Sequence, residues 1–188
     1  RGLESLLNKR ASISKGAKNK IEDFFKVFDK QKDKKYTLVY VYDLQVEEMV
    51  KLLKERYSLN VHGIIASTKI KDRTEILNSF NDGEIDIIVA IQCLDEGVDI
   101  PNCRYAYVLA SSTNPREFIQ RRGRVLRTAN NKDKGIIHDF VTIAPNSGFY
   151  ENHEKSIVIK RELQRVAEFV RLSTNKKDEE IISYLTNI

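Results

Sequence analysis

Ile85-Asp86-Ile87-Ile88-Val89-Ala90-Ile91 is the stretch on which the fold turns. Apart from Asp86 the run is apolar, and most of its side chains are β-branched, so it reads as a strand. A strand with one wet face alternates apolar with polar residues. A near-continuous run instead suits a strand covered on both faces, as in a parallel sheet. Residues 36–42, 59–65, 105–110 and 135–140 have the same texture and read as further strands.

Between these runs the apolar period lengthens. Val46, Met49, Val50, Leu52 and Leu53, followed by Tyr57, recur at helical spacing. Ile70, Thr74, Leu77 and Phe80 mark a second helix, stopped by Asn81-Asp82-Gly83. Asn114-Pro115 opens a third, with Asn114 suited to the cap and Pro115 to the first helical position. Strands alternating with helices of these lengths predict a doubly wound α/β fold, a mainly parallel sheet with helices on both faces and right-handed crossovers. Ligands of such sheets sit at the carboxyl ends of the strands.

The ends of the chain differ from this middle. Residues 14–30 read as an amphipathic lead-in helix with Ile21, Phe24, Phe25 and Phe28 on one face. Gln31-Lys32-Asp33-Lys34-Lys35 reads as a solvated turn, and Ala144-Pro145-Asn146-Ser147-Gly148 as a loop. A long helix over 155–172 and a short one over 178–186 are expected beyond it.

Composition narrows the function classes. A chain of 188 residues is long enough for one domain with a full core. No apolar run reaches the length needed to span a bilayer, and no signal peptide is visible, so a cytoplasmic protein without a membrane partner is expected. Cys93 and Cys103 match no zinc or redox spacing, and His62, His138 and His153 are scattered, so no metal site is expected. The charge is segregated. Residues 116–134 carry Arg116, Arg121, Arg122, Arg124, Arg127, Lys132 and Lys134 against Glu117 and Asp133, a surplus equal to the +5 of the whole chain. Between Arg73 and Arg104 there are acids but no Lys or Arg. Such segregation is expected where one surface meets phosphates.

Two runs carry chemistry, and both follow strands: Leu94-Asp95-Glu96-Gly97-Val98-Asp99-Ile100-Pro101 and Gln120-Arg121-Arg122-Gly123-Arg124-Val125-Leu126-Arg127. On a helix Gln120, Arg124 and Arg127 share a face, with Arg121 beside it. One amide and two planar guanidiniums suit the equatorial oxygens of a phosphoryl group in transfer. A solvated basic helix face is the plain alternative for the arginines. Gly123 inside the cluster and the acidic run upstream weigh against it. No Gly-x-x-x-x-Gly-Lys-Ser/Thr, no Asp-Glu-Ala-Asp/His box and no Gly-x-Gly-x-x-Gly occurs, so the chain has no phosphate cradle of its own.

The two runs together resemble motifs V and VI of superfamily-two helicases and translocases, over a helicase-like region of about 35–143. Residues 120–127 match Gln/His-Arg-x-Gly-Arg-x-x-Arg at each fixed position, and Glu96-Gly97-Val98-Asp99-Ile100-Pro101 matches the end of motif V. The resemblance implies a RecA-like second motor lobe, with 1–34 leading in from a first lobe and 144–188 as a helical extension. It implies that Arg124 and Arg127 are arginine fingers, and that Gln120 and Arg121 bind nucleotide or dock the lobes. Gly97 then lies near the nucleotide, while Asp99 takes a ribose hydroxyl or aligns the catalytic groups. Residues 37–43 look like motif IV, a strand and then a loop in which Tyr42 and Asp43 touch a nucleic-acid backbone. Arg73, ahead of Leu77 and Phe80, resembles a family helix that makes a similar contact.

The sequence departs from the family at Val89-Ala90-Ile91-Gln92-Cys93, where many members have a threonine hydroxyl for a phosphate; Gln92 is the candidate to replace it. Gln rather than His at 120 is similar to repair, restriction and DEAH-type enzymes rather than DEAD-box RNA helicases. The implied partners are nucleic acid, DNA in preference to RNA, and the first lobe of the same polypeptide. The implied cofactor is ATP with Mg2+, held mainly by that lobe, which leaves this chain inactive alone. Two rivals are a degenerate, non-catalytic lobe that binds nucleic acid or a protein, and a small-molecule enzyme on a Rossmann-like sheet. Intact Gln120, Arg124 and Arg127 oppose the first, and the missing glycine loop opposes the second.

Overall fold

The structure, a computed structural model, describes residues 16–17, 19–91, 100–110, 132 and 134–142, together with 166, 167, 170, 173, 174 and 183. Within them the five expected strands form one sheet: β1 (Thr37–Tyr40), β2 (Val61–Ile64), β3 (Ile87–Ala90), β4 (Tyr105–Val108) and β5 (Ile136–Asp139). Each lies inside the apolar run that predicts it. The order is β2-β3-β1-β4-β5, and all four pairings are parallel. Thr37 stands opposite both Ile87 and Tyr105, so β1 is central.

The helices are α1 (Asn19–Phe28), α2 (Val46–Tyr57) and α3 (Ile70–Asn81), with a 3-10 turn at Asp43–Gln45 ahead of α2. The chain moves outward from β1 to β2 through α2 and back to β3 through α3. Crossovers of one hand then put α2 and α3 on opposite faces, and the packing agrees. Leu77 and Phe80 of α3 join Leu38, Tyr40, Ile88 and Val108. Val46, Met49 and Leu53 of α2 join Val39, Ile87, Val89 and Tyr107, with Phe24, Phe25 and Phe28 of α1 on the same side. Both faces of β1 and β3 are therefore dry, which is why their sequences do not alternate. Each buried Phe, Leu or Ile contributes about 1.5–3 kcal/mol from removal of its surface from water.

Two glycines are fixed by geometry. A Cβ on Gly63 would lie 3.0 Å from Val46 Cγ1, so its absence lets α2 close onto β2. Gly83, with φ +81°, ends the loop after α3 in a left-handed conformation that disfavours other residues.

The 31–35 stretch leaves Lys32 and Lys35 exposed, as expected of a solvated turn, and it is also knitted into the fold. Gln31 Nε2 donates to Asp33 O at 2.5 Å, and Tyr107 Oη donates to Gln31 Oε1. Asp33 pairs with Arg104 at 3.1 Å, Lys35 with Asp86 at 3.4 Å, and the Lys34 ammonium lies 5.1 Å from the Phe28 ring centre. The local composition is polar, but its partners come from β4, β3 and α1, which local composition does not reveal.

Candidate nucleotide and nucleic-acid interface

Because the strands are parallel, their carboxyl ends share one rim. The exits of β3, β1 and β4 are neighbours on it. From β1 comes Tyr42-Asp43, half-buried and exposed respectively, leading into the 3-10 turn. From β3 the chain passes beyond Ile91 into 92–99, and from β4 beyond Ala110 into 111–131. Gln92, Gly97, Asp99, Gln120, Arg121, Arg124 and Arg127 lie outside the described residues, as do Cys93, Asn114 and Pro115.

The roots of those segments are well tied. Val41 N donates to Ala90 O at 3.0 Å and Ile91 N to Ile64 O at 3.3 Å. Leu109 N and Ala110 N both donate to Tyr40 O, at 2.9 and 3.1 Å. The main chain at the exits of β1, β3 and β4 is thus one hydrogen-bonded layer.

Arg73 belongs to the same rim. It sits in the first turn of α3, directly after the loop that leaves β2, and it is half-buried rather than a free-standing helix charge. Its Nη2 donates to Thr68 O at 3.5 Å, while Thr68 Oγ1 accepts from Ile65 N at 3.0 Å. Thr68 therefore shapes the loop that Arg73 leans on. Sequence reasoning missed Thr68, although a hydroxyl residue just before a helix start is the signal that finds such a loop. It also missed Gln45 and Lys20. Gln45 is buried beneath the Tyr42-Asp43 turn and donates to Gly16 O at 3.4 Å. Lys20 of α1 donates to Leu109 O at 2.8 Å. Through these two bonds the start of α1 is attached to the exits of β1 and β4.

Lys132 is a correction. It counts among the basic surplus expected to face phosphates, yet it is 7% exposed and its Nζ donates to Pro101 O at 3.2 Å. Burial lowers its pKa and the Arg104 cation lowers it further, with the Cys103 thiol acting in the opposite direction. Cys103 is wholly buried, and loss of water pushes its thiol up to about 12, far from a reactive thiolate. His138, stacked on Tyr107 at 4.7 Å, has its pKa lowered by burial. Tyr40 and Tyr107 are buried in the core and are closed to base stacking.

The described residues hold no group of three or more His, Cys, Asp or Glu arranged for a metal ion. None of their helices is long and apolar enough to cross a membrane. The donor set of the arginine run, amide and guanidinium without carboxylate, suits the oxygens of an anion and not a Mg2+ ion.

The family model described as "Helicase conserved C-terminal domain" matches residues 19–129. The DNA 3'-5' translocase XPB2 of Sulfurisphaera tokodaii is 34% identical over 132 residues, covering 70% of this chain and 28% of that protein. The ATP-dependent RNA helicase DBP3 of Lodderomyces elongisporus is 29% identical over 110 residues, covering 58% of this chain and 20% of its own length. The chain thus spans less than a third of the length of these relatives. The crystal structure of the yeast DEAD-box splicing factor Prp28 superposes with a TM-score of 0.64 at 19% identity, covering 89% of this chain and 35% of that one. At that identity the likeness concerns the fold.

Proposed function

The chain belongs to the helicase conserved C-terminal domain family of superfamily two, and on that premise we propose that it is the second motor lobe of an ATP-driven helicase or translocase. One observation carries the proposal. The exits of β1, β3 and β4 adjoin on a single rim, and they lead into Tyr42-Asp43, the acidic run and the arginine run respectively. We propose that a ligand lying on that rim is the common target of the three segments.

The partner we propose is DNA, tracked by its backbone through Tyr42, Asp43, Arg73 and Gln92. The substrate is ATP, shared with a preceding lobe in a cytoplasmic protein. When bound, Mg2+ would neutralise phosphate oxygens, and by the family resemblance we assign its binding mainly to the preceding lobe. Within this chain Gly97 gives close approach for the nucleotide, and Asp99 accepts from a ribose hydroxyl. Gln120 and Arg121 hold the bound nucleotide or the facing lobe. Arg124 and Arg127 meet negative charge that grows as the γ-phosphoryl leaves, so they stabilise the transition state more than bound ATP. Without a phosphate cradle the 188-residue chain does not turn over ATP on its own.

The test is steady-state ATPase of the full polypeptide with and without DNA. Arg124→Ala and Arg127→Ala are expected to lower kcat by about 10³-fold, the scale of arginine fingers, with a much smaller change in ATP affinity. Arg122→Ala, at the variable position, keeps most activity. Folded Arg124→Ala and Arg127→Ala proteins with wild-type turnover would overturn the assignment.

A further inference from the structure

We infer that Gln45 and Lys20 are positioning residues. Between them they bind the start of α1, where the chain enters the lobe, to the Tyr42-Asp43 turn, so that the two move as one unit. This rests on the reading above that the turn meets a nucleic-acid backbone. Gln45 works in both directions. Its main-chain N donates to Tyr42 O at 2.8 Å, while its side-chain Nε2 donates to Gly16 O at 3.4 Å. One residue thus holds both the turn and an entry segment 29 residues away in sequence.

Lys20 closes the other side. Lys20 N donates to Ala17 O at 3.1 Å, which bends the entry segment into α1, and Lys20 Nζ donates to Leu109 O at 2.8 Å. Leu109 N in turn donates to Tyr40 O at 2.9 Å, just before the turn. The entry segment therefore reaches the end of β1 by two routes, one through Gln45 and one through Lys20 and Leu109. The far side of the turn is fixed as well. Val46 N donates to Asp43 O, and Val46 is 2% exposed at the start of α2.

The residue types support the assignment. Gln45 is 8% exposed, and burying its amide costs hydration that a leucine of similar size would not lose. Leucine fills the space but has no donor for Gly16 O. Lys20 is half-buried, and its ammonium makes a charge-assisted bond to a carbonyl, stronger than a neutral one. A shift of the segment ahead of Gly16 is thereby passed to Tyr42 and Asp43.

The experiment measures the affinity of the full polypeptide for a fluorescein-labelled single-stranded DNA by anisotropy. It compares wild type, Gln45→Leu, Tyr42→Ala and the double variant, with thermal melts to establish folding. Tyr42→Ala is expected to weaken binding about tenfold and Gln45→Leu about fivefold. In the Tyr42→Ala background Gln45→Leu adds less than about twofold, because Gln45 acts through the turn. A residue that only supports the fold gives the same loss in both backgrounds. Hydrogen exchange is the second readout: Gln45→Leu speeds exchange of the Lys20 amide at least about threefold. Wild-type affinity in folded Gln45→Leu, an equal loss in both backgrounds, or unchanged exchange at Lys20 overturns the coupling. Where Tyr42→Ala still weakens binding, the nucleic-acid reading of the turn survives that failure. If Tyr42→Ala binds DNA like wild type, the turn is no nucleic-acid contact and the coupling falls with it. If Gln45→Leu does not fold, Lys20→Met decides by the same cycle. A loss of at least about threefold that disappears in the Tyr42→Ala background supports the coupling, and wild-type affinity or an equal loss in both backgrounds overturns it.

Discussion

At the amino-terminal end of the sheet, side chains knit neighbouring elements together. At the carboxyl-terminal rim, the described side chains Gln45, Lys20 and Arg73 bond to main chain, and two large apolar side chains, Leu44 and Ile70, stand exposed. The first end holds the Asp33–Arg104 pair, the Arg56–Asp29 pair at 2.6 Å, the Tyr57 Oη donation to Asp29, and Asn60 N donating to Asp86 Oδ2 at 2.9 Å. Arg104 also lies 5.0 Å over the Tyr36 ring. The rim, by contrast, exposes Leu44 and Ile70 to 81% and 82%. Its side chains Gln45, Lys20 and Arg73 all bond to carbonyls. The exposed ion pairs are each worth no more than about 1 kcal/mol, so the contrast is not mainly one of salt bridges. What differs among the described residues is the kind of bond: side chain to side chain at the first end, side chain to main chain at the rim.

The contrast is broken most forcefully at the inner end of α1. Phe28 is 0% exposed, stacked on Phe24 at 5.0 Å and edge-on to Tyr57 and Tyr107 at 5.2 and 5.5 Å. Phe28→Ala removes the hub of that cluster and the platform under Lys34. It is expected to destabilise the chain by about 3–5 kcal/mol in a denaturant titration. A loss below about 1 kcal/mol would mean that the knitted end is not the stable one.

A smaller effect is expected at Gly83. Its φ of +81° is strained for any side chain, and a Cβ there would lie 2.7 Å from Tyr36 Oη. The Tyr36 ring has little freedom to yield, being edge-on to Phe80 at 6.0 Å and under Arg104. Gly83→Ala is expected to cost about 1–3 kcal/mol. Since Gly83 lies away from the rim, nucleic-acid affinity of the folded variant should not change. A change in affinity with unchanged stability would reverse the roles assigned to the two ends.

The two ends also differ in how legible they are from sequence. The strands, α2 and α3 follow from apolar period alone, and Asn81-Asp82-Gly83 stops α3 as its turn chemistry demands. The knitted end is less legible because its bonds join residues far apart in sequence. Asp33 to Arg104 and Gln31 to Tyr107 are examples. Nor does sequence foretell positive φ at Tyr36 and Ser58, neither of which is the glycine or asparagine that favours it. Of the candidate site, Tyr42, Asp43 and Arg73 fall on the rim as strand order requires. Lys132 defeats charge counting because counting does not tell a solvated ammonium from one bonded inside the protein.

The smallest expected effect sharpens the contrast from the other side. Leu44 lies in the 3-10 turn after β1 and is 81% exposed, whereas the next residue, Gln45, is buried and bonded to Gly16 O. The turn is therefore held by Gln45 and by Gln45 N donating to Tyr42 O at 2.8 Å, with no contribution from the Leu44 side chain. Leu44→Ser leaves both bonds in place and removes apolar surface that is already in water in both the folded and the unfolded chain. Its stability should stay within about 0.5 kcal/mol of wild type, against the several lost with Phe28→Ala, although both residues are large and apolar. A denaturation midpoint for the 188-residue chain measures this directly. If Leu44→Ser lowers stability by more than about 1 kcal/mol, the side chain is packed in the isolated chain, and the rim is closed in the way the opposite end is.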